Sequence, residues 1–291
     1  MKNWKTISLA ILLSVGATQI INAVFAPPGT ALNAIETAAD TSTLDKIIEG
    51  GTLKCAYIPY PPFFDIDPNT GEMYGVSYDL MEEIGKRLNI NIEWTEEVGW
   101  GSLTEGLHTK RYDAVCSAVW QTSTRSLRAN FSKPYGYSSV DIWVRADDER
   151  FSNDITRINQ KDVKIPVIDG EATSKLVSEH FPNAEIISLS QNTPFSDVLL
   201  NVKNGKADIV LAEPKIAAEF LKAHPGSLKK VTIEKPLSAY PIAFVLPKGE
   251  VDFKATIDNT IDEIFFTRTI DTILAKNNIE KEAFHLPAQP F

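Results

Sequence analysis

Hydrophobic and polar positions follow two rhythms in the first half of the chain, one typical of strands and one typical of helices. Within Val76–Leu88 the apolar residues recur every three or four positions, which predicts an amphipathic helix. Short apolar or alternating runs predict strands at Leu53–Ile58, Ile90–Trp94 and Ala114–Val119, and Leu103–His108 predicts a short helix. This alternation of strands and helices is typical of a largely parallel sheet covered by helices.

The same alternation begins again in the second half. Strands are predicted at Val163–Ile168, Ala184–Ser188, Ile209–Ala212, Val231–Ile233 and Ile242–Leu246. Helices are predicted at Ala172–Phe181, Phe195–Val202, Ile216–Leu221, Ile257–Phe266 and Ile270–Leu274. The pattern therefore predicts an α/β protein whose two halves could each form a unit of similar construction.

One internal similarity links the two halves. Leu107–Ser117 and Val202–Ala212 each read as a helix end, a basic turn, an aspartate (Asp113 or Asp208) and a strand. Two facing α/β units would form a cleft beyond the carboxyl ends of their strands, where open α/β sheets bind ligands. The alternative is that helix–turn–strand junctions resemble one another in unrelated contexts, and one such similarity does not decide between the two interpretations.

The N-terminal region predicts export. Two lysines precede the apolar run Ile7–Val15, which is the form of a secretory signal. We therefore interpret residues 1–26 as a signal peptide or an N-terminal anchor, and residues 27–43, rich in Ala, Thr and Pro, as a linker. Cleavage and retention both stay open, because Pro27 directly follows a candidate cleavage site at Ala26. Either outcome places the body of the protein in the periplasm or elsewhere outside the cytoplasm.

Charge and cysteine content narrow the function further. The net charge of −9 opposes binding to nucleic acid, whose phosphates would be repelled. The two cysteines, Cys55 and Cys116, lie in apolar strand-like runs, and we expect them to be two buried thiols. Export permits the alternative of a disulfide, which would require their Cα atoms to lie within about 7 Å.

Several motifs in sequence order resemble one known family. Gly51–Phe64 reads GTLKCAYIPYPPFF, Trp100–Val119 reads WGSLTEGLHTKRYDAVCSAV, and Thr122–Tyr135 reads TSTRSLRANFSKPY. Together they resemble the type 2 periplasmic (extracellular) solute-binding proteins of family 3, the polar amino-acid receptors of ABC importers. The resemblance covers nearly all of Leu44–Ala275.

The resemblance implies the periplasmic binding protein type II fold. Two lobes, each a mostly parallel sheet flanked by helices, would be joined by two hinge crossovers near Tyr135–Ser139 and Pro236–Tyr240. Lobe 1 would comprise residues 44–137 and 240–291, and lobe 2 residues 138–239. A hinge of this kind lets the lobes close over a ligand with little internal distortion.

The resemblance also implies lobe 1 residues that contact the ligand. Arg125 matches the arginine that holds a ligand carboxylate, and a guanidinium pairs with a carboxylate through two hydrogen bonds. Thr122 is expected to begin the helix that carries Arg125, where exposed N–H groups also favour an anion. The remaining lobe 1 positions are two aromatic residues that would stack on the ligand, Tyr60 and Trp100, with Ala118 and Trp120, the last at a position where the family commonly has Thr or Ser.

Lobe 2 would contribute an acid and a tight turn. Glu213 matches the acid that receives a ligand ammonium, although a glutamate there would also favour the dipole of the following helix. Gly170 matches the glycine of a turn before a helix, and Glu171 and Ala172 follow it. Glu171 either favours a cationic ligand or points to water. An acidic cleft with aromatic walls favours a basic or aromatic ligand over an acidic one.

These residues predict an exported binding protein rather than an enzyme. It would capture a small carboxylate-bearing solute, above all an amino acid, and deliver it as a monomer to an ABC permease, with no cofactor or metal. A cyclohexadienyl or arogenate-type dehydratase on the same fold is one alternative, with Glu171 or Glu213 as proton donor. A sensory solute-binding module is the other.

Overall fold

The computed structural model describes residues 41–152, 154–233, 236–279 and 285–287. The predicted signal or anchor, residues 1–26, and residues 27–40 of the predicted linker lie outside these ranges. The helices are α1 (Thr43–Gly50), α2 (Val76–Leu88), α3 (Glu105–His108), α4 (Ser123–Ser126), α5 (Ala172–His180), α6 (Phe195–Lys203), α7 (Pro214–Ala223), α8 (Val251–Phe266) and α9 (Thr269–Lys276). A short 3-10 helix spans Ile155–Asn159.

The strands confirm the predicted α/β alternation, but one predicted strand is misplaced and the longest strand, Gly136–Arg145, was not predicted. They are β1 (Thr52–Tyr57), β2 (Asp65–Ile66), β3 (Met73–Tyr74), β4 (Asn91–Glu97), β5 (Ala114–Trp120), β6 (Asn130–Phe131), β7 (Gly136–Arg145), β8 (Lys164–Ile168), β9 (Glu185–Leu189), β10 (Ile209–Ala212), β11 (Leu228–Lys230) and β12 (Ser238–Leu246). The strand predicted at Val231–Ile233 is wrong: the strand is β11, because Leu228 pairs with Arg145 of β7 and Lys230 pairs with Trp143.

Two long strands lie side by side at the places where the crossovers were predicted. The largest sheet has the order β10-β7-β12-β5-β1-β4. The first half of β7 pairs antiparallel with β12, Tyr137 opposite Pro241 and Val140 opposite Ser238, and its second half pairs with β10 and β11. The strands β1, β4 and β5 form parallel pairs, as do β8 and β9. The division into two lobes at residues 137–138 and 239–240 stays a prediction.

The internal similarity found in the sequence corresponds to equivalent hydrogen bonds. The carboxylate of Asp113 accepts the backbone N–H of Lys54 at 2.9 Å, and that of Asp208 accepts the N–H of Lys164 at 2.8 Å. Each aspartate also donates its own backbone N–H to the carbonyl of the same lysine. Each aspartate thus ties the turn before its strand to the start of a neighbouring strand, β1 or β8, in the same way.

The two cysteines form a disulfide, so the expectation of two buried thiols is wrong. Cys55 lies on β1 and Cys116 on β5, which are parallel neighbours in the sheet. Their Cα atoms are 5.6 Å apart, within bonding range for a disulfide. Burial did not distinguish the alternatives, because both side chains are fully buried in either case.

No helix within the described ranges is both long and apolar enough to cross a membrane.

Candidate ligand-binding site

Arg125 is carried by a single helical turn whose start the sequence predicted. The fully buried strand β5 ends at Trp120, and Thr122 adopts an extended backbone before α4. The Thr122 hydroxyl accepts the backbone N–H of Arg125 at 3.3 Å and caps the turn. The prediction that Thr122 begins this helix is confirmed. The cap fixes the direction in which the Arg125 side chain leaves the strand end.

The guanidinium of Arg125 is held by uncharged groups. Its Nη1 donates to the carbonyl of Trp120 at 3.2 Å, and its Nη2 donates to the carbonyl of Gly170 at 3.0 Å. Its central carbon lies 5.7 Å from the ring centroid of Trp100, a cation–π contact. Burial lowers the Arg125 pKa, and the negative charge of Glu171 partly opposes this shift. An arginine nevertheless stays charged in proteins, so this cation is available to an anion.

A cavity of about 520 Å³ adjoins this guanidinium. We call it the Arg125 cavity; its lining residues are Gln121, Thr122, Ser123, Thr124, Arg125, Gly170, Glu171, Ala172, Ser174, Lys175, Glu179 and Tyr240. In the part of the chain that the structure describes, no acidic side chain lies within salt-bridge distance of Arg125. The cavity therefore combines a half-buried fixed cation with the first turn of α5, which Glu171 caps.

Gly170 allows the two halves of the cleft to approach closely. Its φ of +79° lies in the left-handed region, where glycine is favoured. A Cβ at Gly170 would lie 2.3 Å from the Cα of Gly101, far inside van der Waals contact. Glycine is therefore required at this turn on two grounds, backbone conformation and space.

Glu171 and Ala172 begin helix α5 beneath this turn. Glu171 is buried, and its Oε2 accepts the backbone N–H of Thr173 at 2.7 Å and the Thr173 hydroxyl. The alternative that Glu171 points to water is therefore wrong. Burial raises the Glu171 pKa, while the bonds from Thr173 and the charge of Arg125 oppose the shift. Ala172 is buried at the first position of the helix.

Tyr60 and Trp100 form an aromatic wall in the cleft. Both rings are buried, and they meet edge to face with centroids 5.4 Å apart. Tyr60 also meets Phe195 of α6 edge to face at 5.7 Å. Burial and the neighbouring acids Glu213 and Glu171 raise the Tyr60 pKa well above its usual value. The two predicted aromatic residues are thus brought together, and Phe195 is a third member that the sequence analysis missed.

Trp120 lies between the predicted cation and the predicted acid. Its indole Nε1 donates to Oε1 of Glu213 at 2.7 Å, while its carbonyl accepts from Arg125. Its ring stacks on Tyr240, with centroids 4.7 Å apart and an interplanar angle of 10°. Ala118, two residues earlier on β5, is buried in the sheet.

Glu213 is a buried acid that is neutral at physiological pH. It is 1% exposed, and burial raises its pKa to about 8, with a further increase from Glu171. Interactions with Ser138, Trp120 and Tyr60 oppose the increase. Its Oε2 makes no hydrogen bond within the described ranges. Its side chain makes no capping bond to α7, so it does not serve that helix as a cap.

A second cavity, of about 580 Å³, lies on the Phe195 side of Trp100. Apolar residues dominate its wall, among them Ile58, Val98, Phe195, Ile216 and Phe220. Its lining within the described part of the chain contains no lysine or arginine, whereas it does contain Asp65, Glu97 and Glu219. The arginine that could pair with a carboxylate therefore lines the Arg125 cavity.

All ten predicted positions lie in or beside one region of the fold. Direct contacts join Arg125, Trp120 and Glu213, and also Arg125, Gly170 and Trp100. Tyr240 was not predicted as a site residue, although it lies in the predicted crossover Pro236–Tyr240 and stacks on Trp120. That crossover was the signal from which Tyr240 could have been found.

The chain is similar over most of its length to known solute-binding proteins. The model of the bacterial extracellular solute-binding proteins, family 3, matches residues 53–278. A probable histidine-binding protein of Campylobacter jejuni is 29% identical over 237 residues, which cover 79% of this chain and 86% of that protein. ABC transporter arginine-binding protein 1 of Escherichia coli is 26% identical over 166 residues, which cover 57% of this chain and 64% of that protein.

Solved structures confirm the predicted fold class. The ancestral amino acid-binding protein AncCDT-1, described as a precursor of cyclohexadienyl dehydratase, has a TM-score of 0.71 at 27% identity, covering 81% of this chain and 98% of that one. A mutant of ArgBP from T. maritima has a TM-score of 0.70 at 25% identity, covering 80% of this chain and 97% of that one. A solute receptor for L-cysteine of Neisseria gonorrhoeae shares the fold, with a TM-score of 0.73 at 18% identity, covering 85% of this chain and 100% of that one.

Proposed function

Because the chain belongs to the bacterial extracellular solute-binding proteins of family 3, we propose that it captures a small carboxylate-bearing solute, in the first instance an amino acid, and delivers it to an ABC importer. The observation that carries the proposal is the Arg125 guanidinium, which among the described residues is hydrogen-bonded only to backbone carbonyls and which adjoins a cavity of about 520 Å³. Relatives named for arginine, histidine and cystine binding support the amino acid class.

The ligand carboxylate binds in the Arg125 cavity in this proposal. The guanidinium fork would form two charge-assisted hydrogen bonds, which hold both the position and the orientation of the carboxylate. The first turn of α5, beginning at Ala172, also lines this cavity, and Glu171 caps it by accepting the backbone N–H of Thr173. Tyr60 and Trp100 exclude water from the cleft, which strengthens these electrostatic contacts.

The test is a thermal-shift screen of the purified protein against the amino acids and related carboxylic acids. A ligand at 100 times its Kd stabilises the folded protein by about 2.7 kcal/mol. We expect Arg125→Ala to abolish the shift. Arg128→Ala, which removes an exposed arginine three residues away, is the matched control and should leave the shift intact. A ligand shift that survives Arg125→Ala would refute the proposed site.

We also propose that the protein acts outside the cytoplasm, as a monomer, with residues 44–137 and 240–291 as one lobe and residues 138–239 as the other. A relative from Mannheimia haemolytica is named a periplasmic arginine-binding protein. Asp113 and Asp208 each accept a backbone N–H from a lysine in a neighbouring strand, and this equivalence supports two lobes of similar construction. Cleavage or retention of residues 1–26 would be read from the N-terminal sequence of the exported protein.

A dehydratase is a second candidate, favoured by one observation. Glu213 has a pKa raised to about 8 and so carries a proton at neutral pH, as a general acid requires. It is linked to Arg125 through Trp120, which donates its indole N–H to Glu213 and accepts from Arg125 with its carbonyl. Incubation of the protein with prephenate or arogenate would test this candidate. We expect no product, and product formation that Glu213→Gln abolishes would establish the enzyme instead.

A further inference from the structure

The short segment that carries Trp100 contacts two turns from the second half of the chain. We call Gly99–Gly101 the Trp100 segment. The turn at Gly170 approaches it so closely that a Cβ on Gly170 would lie 2.3 Å from the Cα of Gly101. The backbone carbonyl of Gln191, in the second turn, accepts the backbone N–H of Trp100 at 3.4 Å. The position of this segment therefore depends on residues that are distant in sequence.

The glycines on either side of Trp100 leave space for the side chain of Gln191. A Cβ on Gly99 would lie 2.3 Å from Oδ1 of Asn192 and 2.9 Å from Cγ of Gln191. A Cβ on Gly101 would lie 2.7 Å from Oε1 of Gln191. Neither glycine has a φ in the left-handed region, so the backbone conformation does not require glycine at either position. Space is what requires it, and Gln191 packs beside both glycines.

Trp100 joins this segment to the proposed ligand site. The centroid of its ring lies 5.7 Å from the central carbon of the Arg125 guanidinium, and the ring meets Tyr60 edge to face. Arg125 also donates to the carbonyl of Gly170, so the guanidinium and the Trp100 segment contact the same turn. Because the Trp100 ring is buried, a shift of its backbone would alter these contacts.

The contact of Gln191 with the Trp100 segment joins the two proposed lobes. In that division Trp100 belongs to the first lobe and Gln191 to the second. A contact that exists only while the lobes are together shifts the equilibrium toward the closed arrangement. A ligand leaves such a cleft after the lobes part, so losing the contact should speed release more than it changes capture.

We infer that Gln191 is a positioning residue for ligand binding, whose side chain holds the Trp100 segment and keeps the Trp100 ring beside Arg125 while the lobes are closed. The inference rests on the proposed function, since it takes Arg125 to hold the carboxylate and residues 138–239 to form the second lobe. Gln191 acts through Trp100 and does not itself have to touch the ligand.

The release rate of a bound amino acid tests this role. The probe is whichever standard amino acid, or cystine, gives the largest thermal shift with the wild-type protein, and its rates are measured by stopped-flow fluorescence. We expect Gln191→Ala to raise the dissociation rate at least about tenfold and to change the association rate less than about threefold. Gln191→Met keeps the length of the side chain and should restore most of the slow release. Gln160→Ala removes an exposed glutamine of the same half and should leave both rates unchanged.

Gly101→Ala perturbs the same contact from the other side. The added Cβ would lie 2.7 Å from Oε1 of Gln191, while the next residue, Asp169, is 3.8 Å away. Its main effect is therefore to displace the Gln191 side chain, and it should also raise the dissociation rate. Because both substitutions break one contact, the variant that combines Gly101→Ala with Gln191→Ala should release ligand about as fast as the faster single variant. Independent effects would instead multiply.

A measurement that needs no ligand reports on Trp100 directly. The chain has five tryptophans, and labelling with fluorotryptophan followed by Trp100→Phe identifies the ¹⁹F resonance of Trp100. Gln191→Ala should move this resonance, and Gln191→Met should return it toward its wild-type position. The resonance of Trp94, whose indole N–H is bonded to Glu82, should stay in place.

The outcomes separate this inference from the proposed function. Binding that requires Arg125, with a dissociation rate that Gln191→Ala leaves unchanged, overturns the role of Gln191 alone. A Trp100 resonance that does not move in Gln191→Ala, or dissociation rates that multiply in the double variant, has the same consequence. Failure of every probe to bind, or binding that survives Arg125→Ala, overturns the proposed amino acid site and the inference with it.

Discussion

Because burial raises the pKa of Glu213, we expect the free energy of unfolding to fall as pH rises through the neutral range. Its pKa is raised from 4.5 to about 8, mainly by burial. Between these two values the folded protein holds a proton that the unfolded chain has released. The slope of unfolding free energy against pH is therefore negative there, at most about 1.4 kcal/mol per pH unit.

The magnitude follows from the size of the shift. The contribution of the Glu213 proton to the free energy of unfolding is fully present below pH 4.5 and is lost once the pH has risen through about 8. A shift of this size corresponds to at most about 5 kcal/mol in total. Glu171 adds to the same trend, because burial raises its pKa as well.

Chemical denaturation of the wild type and Glu213→Gln from pH 5 to 9 measures this contribution. The glutamine keeps an oxygen that can accept the Trp120 indole N–H but does not titrate, so the difference in unfolding free energy between the two proteins isolates Glu213. We expect that difference to decline steadily up to about pH 8. A flat difference for Glu213→Gln would refute the reasoning.

Three further predictions concern the turn, the cap and the disulfide. Gly170→Ala should lower ligand affinity at least tenfold in titration calorimetry, although the protein should still fold, because the added Cβ would lie 2.3 Å from the Cα of Gly101. Unchanged affinity would contradict this close approach. Thr122→Ala should cost about 1 kcal/mol in urea denaturation through loss of the cap, and no loss would mean that the cap is unimportant. Replacing Cys55 and Cys116 by serine should cost about 4 kcal/mol by the same assay, for a sequence separation of 61 residues, and an equally stable variant would argue against the bridge.

The resemblance to the family supplied most of the candidate site residues, and local sequence pattern explains how some of them are placed. Arg125 and its cap Thr122 lie in one short segment, where an N-cap residue three positions before the arginine has a direct structural meaning. The turn at Gly170 was similarly marked by a glycine between a strand and a helix. Periodicity likewise located most strands and helices to within a few residues.

The parts that sequence could not predict depend on which strands become neighbours. Cys55 and Cys116 are bonded only because β1 and β5 adjoin in the sheet. The strand at Leu228–Lys230 carries two lysines and no apolar alternation, and it forms because β7 supplies its hydrogen bonds. The bond from Trp120 to Glu213 joins residues 93 positions apart, and no local pattern contains that information.

The charge of the cleft changes once burial is taken into account. Counting acids along the sequence makes the cleft acidic, which favoured a basic or aromatic ligand. In the fold, burial raises the pKa of both Glu213 and Glu171, so both acids hold a proton more readily than they would in water. Arg125 has no acidic partner within salt-bridge distance among the described residues, and its side-chain hydrogen bonds go to the carbonyls of Trp120 and Gly170. We therefore expect the carboxylate of a ligand to pair with Arg125 and the rest of the ligand to contact the aromatic wall of Tyr60 and Trp100.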